Sequence, residues 1–252
     1  MGAVSPTRGT MTEMLLEIAV GDVEGARVAR ASGADRIELC QALPLGGLTP
    51  SVGQTELAAS LEIPVRVLVR PRAGGFRYTA TEVSAMVRDV ETLIDAGASG
   101  VVMGALAEDG LDGRTLKLLT RATEGLPVVV HRCVDVLLGA GRLDPARLVD
   151  DLLACGVSGL LTSGGVPRAL EGVQVIEAVA EAAVGRLEII AAGGVRADHV
   201  PALRDAGATA VHLSASAATT AGPTGPGGGD DTFTTTDAGR VAAARSAVGA
   251  LL

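Results

Sequence analysis

The side chains in this 252-residue chain most able to do chemistry interrupt otherwise apolar runs. Glu17 lies inside Leu15–Val20, Glu38 inside Ile37–Cys40, and Arg70-Pro71-Arg72 ends the run Pro64–Val69. His131-Arg132, with Asp135 just beyond, closes Pro127–His131, and His212 and Ser214 belong to a late run that starts at Ala210. Carboxylates and imidazoles transfer protons, and guanidinium groups grip carboxylate or phosphate. Glu17, Glu38, Arg70, His131 and Asp135 are therefore the candidate catalytic groups, with Arg72, Arg132, His212 and Ser214 as candidate ligand contacts. Gly193-Gly194 follows another apolar run, and its backbone together with the Ser214 loop has the composition of a phosphate cradle. Cys40, two residues from Glu38, shares its face of a strand and is the one thiol placed to act as a metal ligand.

These residues need a scaffold that brings run ends together, and a repeat in the chain supplies one. A glycine followed by a small residue and a short apolar run recurs at Gly33, Gly97, Gly156 and Gly207. In each case left-handed glycine ends a helix and the chain turns into a strand. With the runs Leu15–Val20, Pro64–Val69, Pro127–His131 and Glu188–Ala191, the count is eight buried strands. Helical segments separate them. Thr79-x-x-Glu82 is a capping box ahead of Val83, Met86, Val87, Val90, Leu93 and Ile94 at helical spacing, and Asp22 and Asp112 sit at further helix starts. Thr49-Pro50 and Asp144-Pro145 each place a capping side chain before a proline at the first helical position. Eight such units predict a single α/β domain over 15–252, a (β/α)8 TIM barrel, after a polar lead-in at 1–14. A long Gly-rich loop over 219–236 precedes a closing helix at 237–248. An open doubly wound sheet fits less well, because the first strand runs into Gly21-Asp-Val-Glu-Gly25 and lacks the G-x-G-x-x-G of a dinucleotide fold. No NAD is expected on that ground.

Composition removes several functions. Three aromatic residues and a formal charge of −8 do not make a nucleic-acid surface. Lys117 is the only lysine and falls within the fourth helix, away from the strand ends, so neither Schiff-base nor PLP chemistry is expected. Three dispersed cysteines suit a reducing compartment. No signal peptide is visible and no run reaches the length of a membrane span, which together predict a cytoplasmic protein without a membrane partner.

In order along the chain, Leu16-Glu-Ile-Ala-Val20, Gly33-Ala-Asp-Arg-Ile-Glu-Leu-Cys40, Gly46-Gly-Leu-Thr-Pro-Ser51, Val69-Arg-Pro-Arg72 and Gly100-Val-Val-Met-Gly-Ala105 resemble the CutC family, named for copper homeostasis. So do His131-Arg132 with Asp135, Leu161-Thr-Ser-Gly164, and Gly193-Gly194 through to His212. The resemblance implies a cytosolic (β/α)8 protein, a homo-oligomer, that binds copper, and it adds Ser163 to the ligand contacts. It also implies a Cu(I) site with one cysteine in each of the first two strands. Here the second is Cys40, but the first position is Ala19, so any copper binding is expected to be weak. Two functions stand side by side: a copper-handling protein, or an isomerase- or lyase-type enzyme for a small phosphate- or carboxylate-bearing metabolite.

Overall fold

The structure, a computed structural model, describes residues 14–220, 222–226 and 231–250. In chain order it comprises β1 (Leu15–Val20), α1 (Val23–Ala31), β2 (Arg36–Leu39), α2 (Val52–Ala59), β3 (Val65–Leu68) and α3 (Ala80–Asp95). Then come β4 (Gly100–Met103), α4 (Gly113–Ala122), β5 (Val128–Val130), α5 (Asp135–Gly139), α6 (Pro145–Leu153), β6 (Gly159–Thr162) and α7 (Val173–Ala183). The chain ends with β7 (Glu188–Ala192), α8 (Val200–Asp205), β8 (Ala210–Leu213), β9 (Ser216–Thr220), β10 (Thr232–Thr236) and α9 (Ala238–Gly249). Strands β1 to β8 pair in sequence order, all parallel, and β8 closes on β1 with Glu17 opposite His212. This is the (β/α)8 barrel the repeat predicts. Among the described residues no helix is long and apolar enough to cross a membrane.

Parallel strands covered on both faces bury nearly every residue, and the pleat sends alternate side chains to different cores. Leu16, Ile18 and Val20 of β1 join the outer core against the helices, whereas Glu17 and Ala19 point into the barrel. The inner core is smaller: Cys40, Leu68, Val102, Val129, Leu161, Ile190, Ala192 and Ala210. The helix starts carry the expected caps. Asp22, Asp112, Asp144 and Asp237 each accept a backbone N–H of the first turn, and Thr79 with Glu82 forms the capping box. All four repeated glycines, Gly33, Gly97, Gly156 and Gly207, have positive φ.

Two expectations need correction. Thr49 does not cap α2: its Oγ1 accepts the Arg70 N–H, and the helix begins two residues later, with Ser51 Oγ accepting from Gln54 N. The segment expected as a loop over 219–236 contains the antiparallel ribbon β9–β10, which starts at Ser216 and pairs it with Thr236. Its strands are rich in threonine, which suits a pleated ribbon, while the glycines fall in the stretch between them. Of the lead-in, residues 1–13 lie outside the described residues, and Met14 is buried in the outer core.

Candidate active site at the barrel mouth

The inward side chains stack in layers along the barrel axis, and the deepest layer is charged. Glu17 is completely buried and accepts from Arg36 Nε at 2.5 Å and from Arg66 Nη1 at 3.3 Å. Glu188 bridges the same two guanidinium groups, to Arg36 Nη1 at 2.5 Å and Arg66 Nη2 at 2.8 Å. Gly159 makes room for this floor, since a Cβ there would lie 3.4 Å from Glu188 Oε2 and 3.1 Å from Val129. One layer up, His212 Nδ1 lies 2.8 Å from Glu17 Oε1 and its Nε2 lies 3.3 Å from Glu38 Oε2. Three carboxylates (Glu17, Glu38, Glu188) thus meet three basic groups (Arg36, Arg66, His212), which is what makes charges in a barrel interior tolerable. The ligand atoms of Glu17, Glu38 and His212 lie within 4.8 Å of one another, but each is engaged in this balanced network.

The network divides the carboxylates by charge state. Burial alone would raise the Glu17 carboxyl, but the His212 hydrogen bond and the charges of Arg36, His212 and Arg66 hold it well below the usual carboxylate range. Glu38 has less help. Burial, with the Glu17 charge beside it, pushes Glu38 up to about 7 against the pull of His212 and Arg66. His212 is buried too, yet the carboxylates of Glu38 and Glu17 raise it above the ordinary histidine value.

Above this layer the barrel opens into a cavity of about 390 Å³ at the C-terminal strand ends. Its walls include Ala19, Glu38, Cys40, Arg70, Phe76, His131, Arg132, Gly193, Gly194, His212 and Ser214. His131 Nδ1 accepts the Cys133 N–H at 3.2 Å, so the neutral ring carries its proton on Nε2. That Nε2 is buried without a hydrogen-bond partner among the described residues. Burial, with Arg70 nearby, lowers the His131 pKa to about 4, so the ring stays neutral at physiological pH. Phe76 packs its ring 4.8 Å from that of His131 and lies 5.3 Å from the Arg70 guanidinium carbon. Gly193 and Gly194 take φ of +106° and +60°, and a Cβ on Gly193 would come 3.0 Å from Pro167 O and 3.2 Å from Arg132 Cζ.

Several candidates from the sequence sit elsewhere or do something else. Glu17 is in the floor beneath the cavity and does not line it. Arg70 faces the cavity but donates to Leu45 O, Gly47 O and Gly74 O, so it fastens two rim loops; it is not paired with Glu38. Arg72 turns outward, bonded to Glu82 of the capping box and to the carbonyls of Gly75 and Arg77. Asp135 and Ser163 form a latch behind the wall. Asp135 accepts from Thr162 Oγ1, the backbone N–H of Ser163 and Gly165, Ser163 Oγ and Arg132 Nε. Ser163 Oγ is also 2.6 Å from Arg132 Nη2, so this pair aims Arg132. Sequence reasoning missed Arg36, Arg66 and Glu188, although Arg36 stands two residues before Glu38 and so shares its inward face.

Soft metal ligands are scarce. Cys40 lines the cavity and donates to Val20 O at 3.6 Å, and burial and Glu38 push its thiol well above the ordinary range. Ala19 offers no ligand, Cys133 and Cys155 belong to the outer core, and Met103 packs there as well. One protonated thiol does not match the two or more soft ligands of a tight Cu(I) site.

The fold and site define a class: a (β/α)8 barrel with a small cavity at its C-terminal face, apolar over much of its wall with a few convergent polar groups, where such barrels place their binding and catalytic groups. Within that class the chain belongs to the CutC family, whose family model matches residues 14–217. It is 44% identical to a CutC family protein of Agrobacterium fabrum over 206 residues, covering 81% of this chain and 80% of the relative. A relative from Xanthomonas axonopodis pv. citri, also named as CutC, is 42% identical, with 80% and 83% covered. Among solved structures, CutC from Streptococcus agalactiae, provisionally described as a copper homeostasis protein, superposes with a TM-score of 0.74 at 30% identity. That match covers 80% of this chain and 98% of the other.

Proposed function

We propose that the cavity binds a small anionic metabolite and handles a proton on it, as in an isomerase- or lyase-type enzyme. The observation that carries this reading is the pairing of Glu38 with His212 at the cavity's base, a carboxyl that exchanges its proton near neutrality where a ligand would touch it. A second pole supports it. The Gly193-Gly194 backbone, Ser214 and the Arg132 guanidinium line the same mouth and suit a phosphate or carboxylate. A copper-handling role is the second reading, favoured by the name of the Streptococcus relative. With Cys40 as the one thiol at the cavity, that role predicts weak, exchangeable Cu(I) binding in this chain.

Thermal unfolding with inorganic phosphate, at ionic strength held constant with chloride, tests the anion pole. At about ten times Kd, ligand stabilisation is ~1.4 kcal/mol, a Tm rise of roughly 3–5 °C for a chain of this size. The rise should follow ln(1 + c/Kd) in wild type, with c the phosphate concentration, climbing with the logarithm of concentration above Kd, and vanish in Arg132→Gln. No rise in wild type beyond that of the chloride control overturns the reading.

A further inference from the structure

The geometry points to enolisation of a phosphorylated α-hydroxy carbonyl compound, with Glu38 as the base at the carbon and the His131 Nε2–H as the donor to the carbonyl oxygen. The inference rests on the anion-site reading above and adds the substrate class and the step.

Elimination narrows the chemistry first. A covalent route needs an activated nucleophile. Cys40 is directed at the Val20 carbonyl and kept protonated, and Ser214 Oγ is 3.2 Å from Ser216 Oγ with no base within reach in the described contacts. Lys117, the chain's only lysine, is on α4 outside the barrel, so the protein cannot activate a carbonyl as a Schiff base. Among the groups lining the cavity are one carboxylate, Glu38, and the neutral ring of His131, whose buried Nε2–H has no hydrogen-bond partner among the described residues.

Those two groups come from β2 and from the end of β5, two walls of one cavity, and the step requires a small turn of the His131 ring to bring its buried Nε2–H onto the ligand. A base at carbon and a fixed donor where negative charge develops are the two requirements for removing a proton beside a carbonyl. A neutral imidazole is suited to the donor role, because it stabilises the oxyanion without having to give up a proton. Gly193, Gly194 and Arg132 then hold the phosphate. A cavity of about 390 Å³ lies at the small end of ligand sites, which fits a compact sugar phosphate.

The step balances within the site. A Glu38 carboxylate oxygen takes the proton from the carbon beside the carbonyl. The C–H electron pair becomes the C=C bond of the enolate, and the carbonyl π pair moves onto oxygen, where the His131 N–H meets it. Return of the proton from Glu38 to the same carbon restores the substrate; return to the neighbouring carbon, after proton transfer between the oxygens, gives the isomer. Glu17 acts as a positioning residue, because it fixes the His212 ring that in turn holds Glu38.

The test is proton exchange in D2O followed by 1H NMR, with glycolaldehyde phosphate, dihydroxyacetone phosphate and ribulose 5-phosphate as probes. Each has a phosphate and a C–H beside a carbonyl. Wild type should wash deuterium into that position in at least one of them. Glu38→Gln should slow the exchange by about 100-fold or more, since general-base catalysis contributes on that order. His131→Phe, with its fold checked by circular dichroism, should keep phosphate-dependent thermal stabilisation but lose exchange. If probes stabilise wild type yet none exchanges above the Glu38→Gln rate, enolisation is overturned and the anion site survives. If no probe or inorganic phosphate stabilises the protein, both readings fall.

Discussion

Replacing each of two buried glutamates by glutamine separates structural charge from reactive charge in the barrel. Glu17→Gln removes the carboxylate that accepts from Arg36, Arg66 and His212 together. Arginine cannot shed its charge at any accessible pH. Two buried guanidinium groups would then share Glu188 alone. Breaking a buried pair by removing one partner costs about 3–5 kcal/mol. For a chain of this length that lowers the urea midpoint by roughly 1–1.5 M at pH 7. Glu38→Gln is different in kind. The amide can still accept from His212, and His212, unlike arginine, can lose its proton if the charge balance shifts. Glutamine is the isostere of the protonated carboxyl, so its midpoint should match wild type near pH 4.5 and lie above it at pH 8. The pH profiles follow with opposite signs. Glu38 has its folded value raised from 4.5 to about 7, so folding favours its protonated form. Stability from this group falls as pH rises from 4.5 to about 7, by up to ~3 kcal/mol, and levels off above. Glu38→Gln should erase that fall. Glu17 is depressed, so its contribution is complete above 4.5 and is lost as pH drops below that. Urea unfolding of the three proteins between pH 4.5 and 8 decides the matter. A Glu17→Gln midpoint within about 0.3 M of wild type at pH 7 would refute the charge-floor reasoning, because 3 kcal/mol cannot hide in so small a shift.

Three more outcomes are expected. Gly193→Ala places a methyl group 3.0 Å from Pro167 O at a φ of +106°, so it should lower the Tm and abolish phosphate stabilisation together; unaltered phosphate binding would remove Gly193 from the anion pole. In 15N NMR, His131 should show the Nε2–H neutral tautomer from pH 5 to 8, because burial holds its pKa near 4; a titration midpoint above 6 would contradict this. Ala19→Cys puts a second thiol on the cavity wall that Cys40 lines, and it should tighten Cu(I) binding at least tenfold in an anaerobic chelator competition. Tight wild-type binding that Ala19→Cys leaves unchanged would show that the metal sits elsewhere.

The sequence by itself determined the barrel. Turn glycines, aspartate caps and eight short apolar runs are local signals, set by backbone sterics and the first turn of each helix, and every one is visible without a partner. It also showed that Glu38 and Cys40 share a face, since the pleat repeats every two residues. Only the tertiary structure decided depth and direction. Glu17 and Glu38 look alike in their runs, yet the strand stagger puts one in the floor beside Arg36 and Arg66 and the other at the cavity. The same closure turned Arg72 outward to Glu82 and made Asp135 a latch for the Ser163 loop, and it gave Arg70 three carbonyls to hold. The reason is physical: a charge state or a role depends on which groups lie within a few ångströms, and for Glu17 those come from β2, β3 and β8, residues as many as 195 positions away along the chain.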